Sequence, residues 1–243
     1  MKRLLFNVIW TALLAFTPIS AFGADQDGDQ ITRPNPDMAA QETMQSALAP
    51  VNSLRPERRD GDVVPRARWD HRPAGRIWTR AAISALKSHG QPILNTVPRD
   101  IADWCPAYPE ATLDGRAAFW AGFLSALAKH ESTYKQEAVG GGGRWYGLLQ
   151  ILPATARGYK CAAPSRDGLK HGPSNLSCAI RILAVVMPRD KVMAHKGKRW
   201  RGVAADWGPM RISSKRKDIS AWTRKQQYCR PLNSVRPRAR GES

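Results

Sequence analysis

The sequence predicts a mainly α-helical domain held by disulfides. Apolar residues recur at spacings of three and four in three stretches, and no alternating strand pattern is evident. Four cysteines, Cys105, Cys161, Cys178 and Cys229, stand behind an N-terminus of export type, and an even count in an exported chain reads as disulfides. The patterned region is roughly 150 residues long, enough for one modest core.

Each segment of the 243-residue chain has its own reading. Lys2 and Arg3 precede the apolar run Leu4 to Phe16, which is too short to span a bilayer comfortably. Ala21 and Gly23 suit cleavage before Ala24, so residues 1–23 are expected to be a signal peptide. Residues 24–70 are rich in Pro, Asp, Gln and Arg and read as a flexible leader. The folded domain is expected at 71–230. From Arg76 to His89 the apolar residues Ile77, Ala81, Ile83, Ala85 and Leu86 predict a helix, with Gly90 as its stop signal. Asn95 to Tyr108 reads as a prolyl connector. A strong helix follows from Asp114, its expected N-cap, to Ser132. Pro153 to Tyr159 predicts a short helix with Pro in its first turn. Residues 162–174 hold Pro164, Gly168, Gly172 and Pro173 and read as a loop. Asn175 is expected to cap a helix from Leu176 to Met187, which Pro188 ends. Residues 231–243 read as a disordered basic tail.

The formal net charge is +18, and loss of Lys2 and Arg3 with the signal lowers it by two, to +16. Such charge predicts an anionic partner without naming it. Export argues against nucleic acid, and no aromatic interleaving, RNA module or zinc finger supports it. No CxxC pair exists and the histidines are not at ligand spacing, so no metal is expected. The favoured pairings are Cys161–Cys178, closing a local loop, and Cys105–Cys229, tying the domain's ends. Each is worth on the order of 3–4 kcal/mol by chain entropy.

One stretch carries the chemistry. Trp120, Leu124, Leu127 and Glu131 follow spacings of four, three and four and share a helix face. Glu131 is thereby aimed where apolar side chains are aimed, and burial raises a carboxyl's pKa. A glutamic acid protonated near neutrality is ready to donate to a leaving oxygen. The competing reading is a solvated helix end paired with Lys135 at i+4. His130 faces another side and reads as structural. After the glycine run Gly140–Gly143, Trp145 and Tyr146 offer flat aromatic faces. Gln150, flanked by apolar residues, offers an amide to substrate.

The residues Glu131-Ser132, then Gly147-Leu148-Leu149-Gln150 leading through Ile151 and Leu152 to Pro153, then the Asn-led stretch Asn175-Leu176 through Leu183, together resemble the soluble lytic transglycosylase family, which has the goose-type lysozyme fold. The match covers about residues 114–209. The resemblance implies a lysozyme-like domain that cleaves the β-1,4 bond between N-acetylmuramic acid and N-acetylglucosamine in peptidoglycan. It implies Glu131 as both acid and base, with the sugar's own 6-hydroxyl closing on the anomeric carbon to give a 1,6-anhydro product. Ser132, Gln150, Trp145 and Tyr146 become the substrate-binding set. The expected partner is the peptidoglycan glycan strand, met in the periplasm by a monomer without cofactor, alone or beside a wall-spanning machine. The third motif departs: aligned on Gly208-Pro209, the family's supporting Tyr falls at Ala205. Tyr146 and Tyr159 are the candidates to supply that hydroxyl. The rival readings are a hydrolase on the same fold and a wall-binding protein without efficient chemistry.

Overall fold

The structure is a computed structural model and describes residues 64–231. The expected signal peptide, leader residues 24–63 and tail residues 232–243 lie outside the described residues. In chain order the elements are α1 (Gly75–Lys87), α2 (Gln91–Leu94), α3 (Leu113–Ser132), β1 (Val139–Gly140), β2 (Trp145–Tyr146), α4 (Pro153–Gly158), α5 (Arg166–Lys170), α6 (Gly172–Asp190), β3 (Ala194–Lys196), β4 (Trp200–Gly202) and α7 (Ser213–Arg224). Short 3-10 turns link several of them. The domain is thus mainly helical, as the periodicity predicts.

Helix α3 is the axis of the fold. Every residue from Ala117 to Ala128 is buried, so the helix is apolar on all sides. It packs on α7 and α1, while α1 packs on α6. The only polar side chain in that run is Ser125, which donates to Gly122 O and accepts from Arg68 N at 2.7 Å. A side chain at Gly122 would strike the Tyr228 hydroxyl, so the close approach of the C-terminal segment requires glycine there. Phe119, Trp120 and Phe123 meet edge-on or tilted along the helix, and the Trp120 indole donates to the Tyr108 hydroxyl at 2.9 Å. The N-cap is Thr112, whose hydroxyl accepts from Gly115 N, rather than Asp114. Asp114 pairs instead with Lys87 at 2.8 Å.

Several expected boundaries move. Trp69 is fully buried, donates to Thr79 Oγ1 at 2.8 Å and packs edge-on against Trp78, so folded structure begins before residue 71. Along α1 the buried stripe is Trp78, Ala82, Ala85 and Leu86; Ile77 is 59% exposed. The expected loop at 162–174 contains α5 and the start of α6. Asn175 lies inside α6 instead of capping it, and the helix runs two residues past Pro188. Both β-hairpins went unread, because strands of two or three residues are too short to show alternation. Among the described residues, no helix is long and apolar enough to cross a membrane.

Both disulfides form as paired in the sequence reading. Cys105–Cys229 spans 124 residues and joins the connector ahead of α3 to the segment after α7. Cys161–Cys178 spans 17 residues and ties the end of α4 to α6. Loop-closure entropy grows with span, so Cys105→Ser/Cys229→Ser is expected to cost about 4–5 kcal/mol and Cys161→Ser/Cys178→Ser about 3 kcal/mol. Urea melts of the two double variants check this order. Equal losses would contradict the entropic account.

Candidate active site

Glu131 sits in the last turn of α3, where the helix emerges from the core. Burial pushes its carboxyl up to about 7 from an ordinary 4.5, and the Lys215 ammonium works in the opposite direction. Among the described residues nothing hydrogen-bonds to or ion-pairs with this carboxyl, so it is not held by Lys135. The neighbouring charges are tied elsewhere. Asp218 accepts from Arg68 at 2.6 and 3.0 Å, from Lys129 at 3.3 Å and contacts His130 Nε2 at 2.7 Å. The Arg68 hydrogen bonds hold Asp218 far below the usual carboxylate range. That cluster fixes the flank of α3 and leaves Glu131 apart from it. His130 is therefore structural, as its place on the helix implies.

The turn after Glu131 is strained. Thr133 and Tyr134 both lie in the left-handed region, at φ +51° and +62°, without being glycine. Thr133 closes α3 with its N–H on Ala128 O. The chain is thereby turned away from the helix axis directly beyond the acid. A cleft of about 520 Å³ opens beside this turn, lined by Trp78, Tyr134, Lys135, Gln136 and Glu137 among others. Glu131 does not line that cleft, so the chemical reading rests on the carboxyl's own environment.

The second motif forms a tight hairpin loop. Tyr146 and Ile151 exchange backbone hydrogen bonds at 3.0 and 2.9 Å, enclosing Gly147 to Gln150. Gly147 has φ +83°, and a side chain there would collide with Leu169 O and Asn175 Nδ2. Leu148 and Leu149 are fully buried and anchor the loop. Asn175 completes it: its Oδ1 accepts from Leu149 N, and its Nδ2 donates to Tyr146 O and Leu169 O, each at 2.9 Å. Trp207 donates its indole N–H to Leu149 O at 3.0 Å. Three stretches far apart in sequence, ending in Leu149, Asn175 and Trp207, therefore converge on one turn.

The transglycosylase SLT domain model matches residues 113–205. Over that stretch the chain is similar to the SLT domain. Among solved structures, Bd0314 DslA in its wild-type form 2 is similar at 29% identity and a TM-score of 0.62, covering 68% of this chain and 98% of that one. Two mutants of DslA, each with a glutamate replaced by glutamine, match at 29% identity with TM-scores of 0.63 and 0.62. Curated proteins show no significant match.

Within the matched stretch the expected substrate residues have unequal positions. Trp145 is 41% exposed; its ring lies on Gly141, where a side chain would collide with it, and the Arg144 guanidinium sits 5.1 Å from its centroid. Gly141, Gly142 and Gly143 all have positive φ, which explains the glycine run. Tyr146 is only 5% exposed and donates to Gly143 O at 2.6 Å, so it braces the loop and offers no open face. Ser132 is buried with its hydroxyl on Ala128 O at 3.3 Å. Gln150, at φ +46°, donates its amide to Ala138 O and Gly147 O at 3.2 and 2.9 Å, leaving its carbonyl oxygen as the free polar atom. Neither Tyr146 nor Tyr159 reaches the Glu131 carboxyl with a hydrogen bond; the charges felt by Tyr159 are those of Asp206, Arg189 and Asp190. Trp207 and Lys215 are contributors that the sequence reading did not place at the site, and Asn175, read there as a helix cap and a motif residue, braces the loop instead. Asn175 had a legible signal: it stands four residues before Ala179 and seven before Ile182, on the apolar stripe of its helix. Among the described residues no cluster of three or more His, Cys, Asp and Glu is set to hold a metal.

A carboxyl near 7 is protonated below neutrality and lost as a proton donor above it. If Glu131 is the acid, activity should fall on an alkaline limb near pH 7. Removing the opposing cation by Lys215→Met should move that limb to higher pH. An unmoved limb would separate Lys215 from the acid.

Proposed function

We propose that the chain is an exported peptidoglycan lytic transglycosylase in which Glu131 is the general acid and then the general base. The observation that carries this reading is a lone carboxyl just beyond the buried run Ala117–Ala128 of α3, raised by burial to about 7 and free of any hydrogen-bond or ion-pair partner among the described residues. The SLT match supports peptidoglycan as the substrate and an extracytoplasmic place of action. Glu131 would protonate the bridging oxygen of the β-1,4 bond. The developing cation at the anomeric carbon would be closed by the 6-hydroxyl of the same sugar, with ionised Glu131 taking its proton. Among the described residues no second carboxylate shifts Glu131, which fits this route better than the two-carboxylate pattern. Trp145 would carry a sugar face and Gln150 Oε1 would accept from substrate. Residues 1–23 as signal peptide, a domain over 71–230 extended at its front to include Trp69, and a periplasmic monomer complete the proposal.

One observation favours a second reading. With Ala205 at the Tyr position and no hydroxyl on Glu131, the acid lacks a positioning hydrogen bond. A wall-binding protein of low activity would tolerate that. Purified protein incubated with dye-labelled wall sacculi decides between them: release of soluble dye supports the enzyme, and sedimentation of protein with intact sacculi supports the binder.

A further inference from the structure

A second cavity lies away from the elements that carry Glu131 and Gln150. It encloses about 710 Å³ between the end of α6 and the β3–β4 hairpin, and its lining includes Arg99, Arg189, Lys198, Arg199, Arg201 and Trp200. The cations come from three separate places in the chain: the connector, the last turn of α6 and the hairpin. Arg99, Lys198 and Arg199 are exposed, and their side chains make no hydrogen bond or ion pair among the described residues. With Arg189 paired to Asp190, the four remaining like charges around one groove repel one another, and an anionic ligand relieves that repulsion. The lone acid in the wall, Asp190, is already consumed: it pairs with Arg189 at 2.8 and 2.9 Å and accepts from Gly202 N at 2.8 Å.

We propose that this groove binds the free carboxylates of the peptide stems attached to the glycan, outside the cleavage site. This rests on the peptidoglycan reading above and names a further part of the same polymer as ligand. Three features favour spaced carboxylates over a phosphate. The cations come from three separate segments, Arg99, Arg189 and the β3–β4 hairpin, and not from one loop. The backbone N–H groups of Gly197 and Gly202 are bonded internally to Arg199 O and Asp190, so they form no phosphate cradle. The wall also holds the C-terminal end of α6 and the Asp190 carboxylate, both unfavourable to a compact dianion. Singly charged groups several ångströms apart avoid that penalty. Trp200, with the Arg216 guanidinium stacked over its ring 5.5 Å from the centroid, lines the groove and gives it an aromatic wall for the stem's aliphatic side chains.

The test uses the mature chain with Glu131→Gln, so that binding is read without cleavage. Its partners are whole sacculi and the soluble glycan strands freed when an amidase removes the stems, strands that keep one lactyl carboxylate on each muramic residue. Lys198→Ser/Arg199→Ser, joined by Arg99→Ser, is expected to weaken binding to peptide-bearing sacculi about tenfold. Binding to stripped glycan should be unchanged. Lys198→Arg/Arg199→Lys should restore the peptide-bearing affinity, which separates charge from folding. Equal binding of whole sacculi and stripped glycan by the unaltered groove would overturn the proposal while leaving the cleavage reading intact. Binding to neither polymer would overturn both. Inorganic phosphate or phosphatidylglycerol vesicles that bind the intact groove and lose the triple variant, with no change on sacculi, would reassign it to phosphate.

Discussion

Replacing Glu131 by Gln should lower wall cleavage by at least about 10²–10⁴-fold, the usual worth of a general acid–base group. Gln keeps the shape and loses the proton. The same substitution should leave the protein as stable at low pH and more stable at high pH. Below the unfolded value of 4.5 both states hold the proton and the acid costs nothing. Between there and about 7 the unfolded chain ionises first, so the folded state loses ground as pH rises. Above about 7 the penalty is constant, on the order of 1–3 kcal/mol. Melting temperatures of the two proteins should therefore coincide near pH 4 and separate through pH 5–7, with the Gln variant higher. Parallel curves would mean that Glu131 is not desolvated, and full activity in the Gln variant would remove it from the mechanism.

The second large effect falls on Asn175. Its amide satisfies Leu149 N, Tyr146 O and Leu169 O in a site that is fully buried. Asn175→Ala strips three backbone groups of their partners at once. Each such group costs about 1–3 kcal/mol when left unpaired, so a loss of about 3–5 kcal/mol is expected. That corresponds to a fall in melting temperature of roughly 10 °C or more. The loop carrying Gln150 would lose its anchor, so sacculus cleavage should fall too, even well below the melting transition. A variant with normal stability and activity would show that Trp207 and the buried Leu148 and Leu149 suffice to hold the turn.

Asn175 also marks where sequence reading stops. Its residue type and its place before an apolar run fit a helix cap, and a cap is a local feature. Two of its three partners, Leu149 and Tyr146, lie 26 and 29 residues away, and no local pattern reports them. Trp207 is similar: its partner Leu149 is 58 residues distant. Helix α3 was legible because its signal is local and repeated, from Ala117 to Ala128. The wholly apolar surround of α3, in place of one apolar face, followed from packing by α1 and α7 that periodicity does not encode. Ile77 and Trp69 show the same limit, one apolar residue left outside and one drawn in from the expected leader. The cysteine pairing was legible because few alternatives exist among four. The strained Thr133–Tyr134 turn was not, since neither residue type favours positive φ.

The central claim is that the sugar's own hydroxyl, and not water, completes the reaction. Mass analysis of the soluble products from wild-type digestion of purified sacculi tests it most directly. Closure by the 6-hydroxyl adds no water, so each cleavage should leave a 1,6-anhydro-muramic end, one water lighter than a hydrolysed end and inert to borohydride reduction, opposite a new non-reducing N-acetylglucosamine end. Reducing muramic ends, heavier by one water and reduced by borohydride, would contradict the account and place a hydrolase on this fold.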